Sequence, residues 1–361
     1  MPYRHLRLQE AVQNRIVPNG FPVTYHSNMM ATEKQEIIDI LSDKKKSGKE
    51  RPWKMYKKLV ELLAQIYDSL NESKANRLRV CGDFFTFKEY PDQTKTLSQA
   101  NFCRIRLCPM CQWRKSLKAF AQMTKIMNHL KPKGYAYIFL TLTVKNCSGQ
   151  ALSDTITHML ESWKRLTQTQ VVRKVSKGMY RTFEVTHNTD YESKDFDTYH
   201  PHIHAVIAVN PSYFKSRDYL SQARWTELWQ DAARLDYTPM VNVKRVKGDT
   251  AKAVAEVSKY TSKPDDYILT EDWDLSIDTV RVLDEAFHNR RFLAFSGVFK
   301  EAHKSLNLDD VEKGNLVHVD DDAADHAADE QYVLVSYAWN SGYGDYYRVR
   351  SGLSEKKETC K

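Results

Sequence analysis

The chain has no run of apolar residues long enough to cross a bilayer, and its Met-Pro-Tyr-Arg start leads into no apolar core of the kind a secretory signal needs. These absences set membrane and exported proteins aside and predict a cytoplasmic site of action. No internal repeat occurs, and the one low-complexity block, the acidic segment Asp320 to Glu330, reads as a mobile loop. Cysteine is scarce, six in 361 residues, yet Cys103, Cys108 and Cys111 fall within nine positions. In a reducing compartment such crowding points to a ligand cluster rather than to disulfides, and Cys147 and Cys360 read as incidental.

What is present is an ordinary globular composition, 42% hydrophobic and 28% charged, at a length that suits about two domains. The formal charge of +8 hides an asymmetry. Residues 301 to 361 carry 7 Lys and Arg against 13 Asp and Glu, whereas the first 300 carry 47 against 33. A basic body with an acidic tail predicts a nucleic-acid partner, and the lack of any spanning stretch predicts no membrane partner.

Residues 1 to about 50 are polar, and Ser42 to Pro52 (SDKKKSGKERP) reads as a solvated linker. Apolar residues at Leu59, Leu62, Leu63 and Ile66 then give the helical period. After the cysteines, a helix over 114–130 precedes an alternation: strand 135–145, helix 153–166, strands 180–186 and 202–209, helix 219–233, strand 241–246 and helix 251–262. The β-α-β-β-α-β-α order predicts an α+β fold, an antiparallel five-stranded sheet with flanking helices on the ferredoxin-like plan. The expected division is a basic N-terminal region (1–75), a four-cysteine region (76–116), a sheet domain (117–300) and an acidic C-terminal region (301–361).

Within HPHIHAVIAV, His200 to Val209, strand geometry puts His200, His202 and His204 on one face and Ile203, Ala205, Ile207 and Val209 on the other. Converging neutral imidazoles make a metal site, and Glu184 of the preceding strand (RTFEVTHN) can supply the oxygen ligand that a hard divalent ion wants. The sequence does not continue as H-x-H-x-D-H, which sets metallo-β-lactamase-like hydrolases aside. It also lacks the glutamate that a cupin places shortly after the second histidine.

Downstream, EVSKYTSKPDDY sets Glu256 and Tyr260 one helical turn apart, with Lys263 three further on and Lys259 beside the tyrosine. A phenol is a poor nucleophile unless a cation or a polarised electrophile is close, and lysines with a metal supply both. Tyr267, beyond Pro264, is the second choice. FLTLTVKN (Phe139 to Asn146), HPHIH and EVSKYTSK together resemble, in order, the three motifs of the HUH endonucleases, specifically the rolling-circle replication initiators of small plasmids. The resemblance covers about half the chain, Cys81 to Tyr267. It implies that Glu184, His202 and His204 hold Mg²⁺ or Mn²⁺, and that Tyr260 attacks a DNA phosphate to leave a 5′-phosphotyrosine and a free 3′-OH. It further implies that Glu256 activates water at termination, that Lys263 or Lys259 offsets developing charge, and that the partners are a hairpin origin, a host helicase and the replication machinery.

FCRIRLCPMC gives C-x4-C-x2-C, and Cys81 is placed to close a four-thiolate zinc site with Cys103, Cys108 and Cys111. Arg104, Arg106 and Arg114 around it suggest a zinc-ribbon knuckle set against a phosphate backbone. Two other readings stay open: a zinc-dependent DNA-binding regulator without catalysis, and a relaxase or transposase of the same superfamily.

Overall fold

The computed structural model describes residues 39–45, 47–246, 254, 258, 262–319 and 331–349. In chain order the elements are α1 (Trp53–Asp68), α2 (Glu72–Arg79), β1 (Phe84–Glu89), β2 (Lys95–Ala100), α3 (Pro109–Leu130), β3 (Ala136–Thr143), α4 (Gly149–Gln168) and α5 (Gln170–Val175). They continue with β4 (Ser176–Asn188), β5 (Thr198–Val209), α6 (Gln222–Ala233), β6 (Val241–Arg245), α7 (Trp273–Ala286), β7 (Ala294–Ser296), α8 (Gly297–Ser305), β8 (Val333–Asn340) and β9 (Asp345–Val349). The described residues form two compact units, one of residues within 39–58, 82–101 and 331–349, the other within 59–81 and 102–319.

The larger unit is built on a five-stranded antiparallel sheet in the order β6-β3-β5-β4-β7. The first four strands follow the ferredoxin-like plan expected from the sequence, and the short β7, which periodicity does not reveal, extends the sheet beyond β4. On the histidine face, Tyr180, Val206, Ala208 and Tyr137 pack against Ala119, Met123 and Met127 of α3, Phe299 of α8, and Val254. The other face buries Leu140, Leu142, Ile203, Ala205 and Ile207 beneath the helices between strands, and the Trp229 indole N–H of α6 donates to the Thr143 carbonyl at 2.8 Å. Strand β4 and the turn into α8 approach closely at glycines: a Cβ on Gly297, whose φ is +51°, would lie 2.2 Å from the Lys177 carbonyl oxygen.

The smaller unit holds a four-stranded antiparallel sheet in the order β2-β1-β8-β9. Its core is aromatic, with Trp53 and Phe85 at 4.5 Å and Phe85 and Tyr346 at 5.0 Å between ring centroids. Here the structure departs from the division read in the sequence. The hairpin inside the expected cysteine region (β1 and β2) and the hairpin inside the expected acidic region (β8 and β9) form one sheet, because their apolar faces bury only together. The stretch from Ser42 to Pro52 is likewise not a solvated linker: Asp43 is buried and accepts from the Trp53 indole at 2.7 Å, and Ser42 donates to Glu50 at 2.7 Å.

Residues 301–319 belong to the larger unit and are tied to α3. Lys118 donates to the Asn315 carbonyl at 2.8 Å and pairs with Asp309, while the Gln122 amide reaches the Asp309 carbonyl at 2.9 Å. Arg114, expected on a phosphate-binding surface, is fully buried, with Nε donating to the Leu316 carbonyl and Nη2 to the Val317 carbonyl, both at 2.9 Å. Its charge is spent on backbone carbonyls, so it holds the fold and cannot reach DNA. Arg114→Leu should therefore cost about 2–4 kcal/mol of stability and leave the duplex affinity of the folded protein unchanged. Chemical denaturation and fluorescence anisotropy check the two halves, and a weakened affinity at full stability would return Arg114 to the surface.

Candidate metal centre

Strands β4 and β5 pair so that Glu184 lies directly opposite His202 and Thr182 opposite His204. Directly paired residues share a face, so the carboxylate and both imidazoles point the same way. The ligand atoms of Glu184, His202 and His204 all lie within 4.8 Å of one another. Nε2 of His204 lies 3.0 Å from Oε2 of Glu184, and its Nδ1 is hydrogen-bonded to the Thr141 hydroxyl at 3.2 Å. Phe139 stacks on the same ring at 5.8 Å. Thr141 fixes the orientation of His204, and in the tautomer that frees Nε2 for a metal its hydroxyl oxygen accepts from Nδ1–H, a role commonly filled beside metal-binding histidines.

The charges suit a cation. Burial pushes the Glu184 carboxyl upward, but the hydrogen bond from His204 and the charges of His204, Lys263 and His202 outweigh it, and its pKa lies below the usual value. Burial lowers His202 to about 4, with His200 adding to the shift. Near neutral pH Glu184 is therefore a carboxylate and His202 a neutral imidazole, the forms that bind metal. Nδ1 of His202 is buried with no hydrogen-bond partner among the described residues, and an orphaned donor-set nitrogen is a reason to place an ion there. Two imidazoles and a carboxylate leave coordination positions open, which fits Mn²⁺ or Mg²⁺ carrying water or phosphate oxygen.

The four cysteines also meet. Cys81 follows α2, Cys103 precedes a short loop, Cys108 caps the N-terminus of α3 and Cys111 sits in its first turn. Sulfur separations are 3.6 Å for Cys81 and Cys108, 3.7 Å for Cys81 and Cys111, and 3.8 Å for Cys103 and Cys111, with no disulfide. A zinc–sulfur bond of about 2.3 Å gives tetrahedral edges of about 3.8 Å, which these three separations match, and all four sulfurs lie within 4.8 Å of one another. Backbone amides already aim at the sulfurs, Cys103 N–H at Cys81 (3.4 Å) and Arg104 N–H at Cys111 (3.3 Å). Hydrogen bonds from Cys103, Cys108 and Cys81 pull the Cys111 thiol well below its ordinary pKa, whereas burial pushes Cys108 well above. The knuckle opens a helix, which the sequence reading as a ribbon did not anticipate.

A family model described as a replication protein (Rep_1) matches residues 94–347. Protein rep of Bacillus amyloliquefaciens is 37% identical over 338 residues, 85% of this chain and 96% of that protein. The chain belongs to the replication protein family. Protein rep of Streptococcus pneumoniae serotype 2 is 37% identical over 334 residues, covering 89% of this replication protein and 99% of its own length. A replication protein of Staphylococcus aureus is 36% identical over 219 residues, 58% of this chain and 89% of that one. No solved structure matches. The family agrees with the resemblance to rolling-circle plasmid initiators carried by the histidine and tyrosine motifs.

Other expected site residues of this replication protein fall in three groups. Glu256, Lys259 and Tyr260, like the acidic segment 320–330, lie outside the described residues; between and before them, Val254 packs on the histidine face and the Ser258 hydroxyl donates to the Val254 carbonyl at 2.7 Å. Lys263 is exposed, and its charge acts on both Glu184 and His202. Tyr267, the second-choice nucleophile, is fully buried with its hydroxyl donating to the Leu107 carbonyl at 2.6 Å, which removes it from consideration. Arg106 is committed to Glu312 at 3.1 Å and to the Arg290 carbonyl, beside the Phe292 ring, so it too is a structural cation. Arg104 stays exposed, with one guanidinium nitrogen on the Lys313 carbonyl at 2.7 Å. No helix among the described residues is long and apolar enough to cross a membrane.

The sequence reading missed Thr141. Its signal was present, since Thr141 and Thr143 are the polar positions on one face of an otherwise apolar strand.

Proposed function

We propose that this replication protein initiates rolling-circle plasmid replication by nicking one strand of origin DNA and transferring that strand through Tyr260. The convergence of Glu184, His202 and His204 on one sheet face supports this reading above all. Tyr260 follows Val254, which packs on that face, and Ser258, which is buried and bonded to the Val254 carbonyl. The phenol oxygen bonds to phosphorus as the bond to the 3′ oxygen breaks, and the proton lost by the phenol is matched by one gained at the 3′ oxygen. One phosphodiester replaces another, so the step reverses readily and supports strand transfer. Glu184, His202 and His204 would hold Mg²⁺ or Mn²⁺, which would supply Lewis-acid polarisation of a non-bridging phosphate oxygen.

The chain's own groups do the rest. Lys263, already acting on Glu184, adds positive charge where the phosphate gains negative charge, with Lys259 as a second source. Thr141 keeps His204 facing the site. Glu256, four residues before Tyr260, activates water when the tyrosine is already occupied, ending a round by hydrolysis. Zinc on Cys81, Cys103, Cys108 and Cys111 is structural: four thiolates leave no open position.

Incubating the full chain and Mn²⁺ with single-stranded origin oligonucleotides should give a covalent, size-shifted adduct, absent in Tyr260→Phe. His202→Ala should lower nicking at least about 100-fold while duplex binding persists. Glu256→Ala should still nick but accumulate unreleased adduct. An adduct that survives in Tyr260→Phe contradicts the assignment, and no adduct from any origin leaves the non-catalytic regulator as the better reading. Elemental analysis should find zinc bound at one site per chain, lost with reduced thermal stability in the Cys108→Ser, Cys111→Ser double variant; zinc-free native protein contradicts the thiolate assignment.

A further inference from the structure

A groove of about 530 Å³ in the larger unit lies between the α2 and cysteine-loop region on one side and the segments following α7 and α8 on the other. Eight Lys and Arg line it against three acidic residues, Asp284, Asp310 and Glu312. Arg77, Arg104, Arg291 and Lys313 are exposed along it. Several cations are already held in place rather than neutralised: Arg77 donates to the Cys103 carbonyl at 2.6 Å, and Arg290 to the Ser153 carbonyl at 2.9 Å. Lys115, half-buried, makes no hydrogen bond or ion pair among the described residues; burial pushes its pKa down and Arg106 adds to the shift. Cations fixed by neutral carbonyls and left in excess over carboxylates form a standing site for a polyanion.

We infer that this groove binds the phosphodiester backbone of duplex DNA, separately from the histidine site, and holds the origin while a strand is cut elsewhere on the protein. The inference rests on the reading of the chain as an origin-binding initiator. Duplex is favoured over single-stranded DNA or RNA because the groove lacks a platform of Phe, Tyr or Trp rings on which bases could stack: Phe287, which lines it, is buried. Backbone contacts of this kind carry affinity and position, and the sequence-reading groups are sought elsewhere.

The test is fluorescence anisotropy of the full chain on duplex origin DNA across a salt series, comparing wild type with the Arg77→Glu, Lys313→Glu double variant. Both substituted residues are exposed. Duplex affinity should fall at least about tenfold at 0.1 M salt, and the slope of log K against log salt should shrink by about 2, one for each phosphate that the variant no longer neutralises. Nicking of a single-stranded oligonucleotide should be unchanged. A charge-matched control, Lys300→Glu with Lys304→Glu on exposed positions of α8, should weaken binding far less. Unchanged duplex affinity, equal losses in the two double variants, or a loss confined to single-stranded DNA overturns the groove. Failure of wild type to nick would count against the proposed chemistry and leave the anisotropy comparison standing.

Discussion

The pairing register of β4 with β5 is the constraint on which the candidate site depends. With Glu184 opposite His202, one face of the sheet carries the carboxylate and the imidazoles while the other carries Ile203, Ala205 and Ile207. A slip of one residue would exchange the faces, burying charge beneath the helices and exposing the aliphatic row. The apolar row therefore fixes where the ligands stand. Along the same strand the histidine face changes character: polar at His200 to His204, then Val206 and Ala208, which pack under α3. One strand thus contributes a rigid core at one end and an open ligand set at the other, as a site that must hold its geometry requires.

Helix α3 links the two candidate metal sites within the larger unit. Its N-cap and first turn supply Cys108 and Cys111, its second and third turns present Arg114 and Lys118 to the carbonyls of residues 315–317, and its later turns lay Ala119, Met123 and Met127 on the histidine face. Loss of the thiolate site would loosen the helix that covers the sheet. A structural ion at the start of α3 can therefore support chemistry to which it contributes no ligand.

Much of this was legible in the sequence, for stated reasons. Period-two alternation revealed the histidine face, and the preceding strand offered Glu184 for it. Spacing brought Cys103, Cys108 and Cys111 together and made Cys81 the partner. What failed was the reading of neighbours in sequence as neighbours in space. Arg106 and Arg114 flank the cysteines and look like surface cations, but their partners are Glu312 and the carbonyls of Leu316 and Val317, some two hundred residues on. The four-stranded sheet escaped notice because β1 pairs with β8, whose Ser336 lies 250 residues beyond its partner Thr86, and a segment following an acidic block reads as tail. Tyr267 shows the converse: Pro264 gave reason to doubt it, and burial against Leu107 explains why it cannot attack.

The central claim is that one register makes Glu184, His202 and His204 a single ligand set, and manganese binding tests it most directly. Electron paramagnetic resonance on the zinc-replete full chain, titrated with Mn²⁺, should show one tight manganese site in wild type. That site should be lost in Glu184→Ala, His202→Ala and His204→Ala, and kept in His200→Ala, whose ring lies on the same face beside His202. Tight manganese binding that survives Glu184→Ala, or that requires His200 instead, would contradict the account.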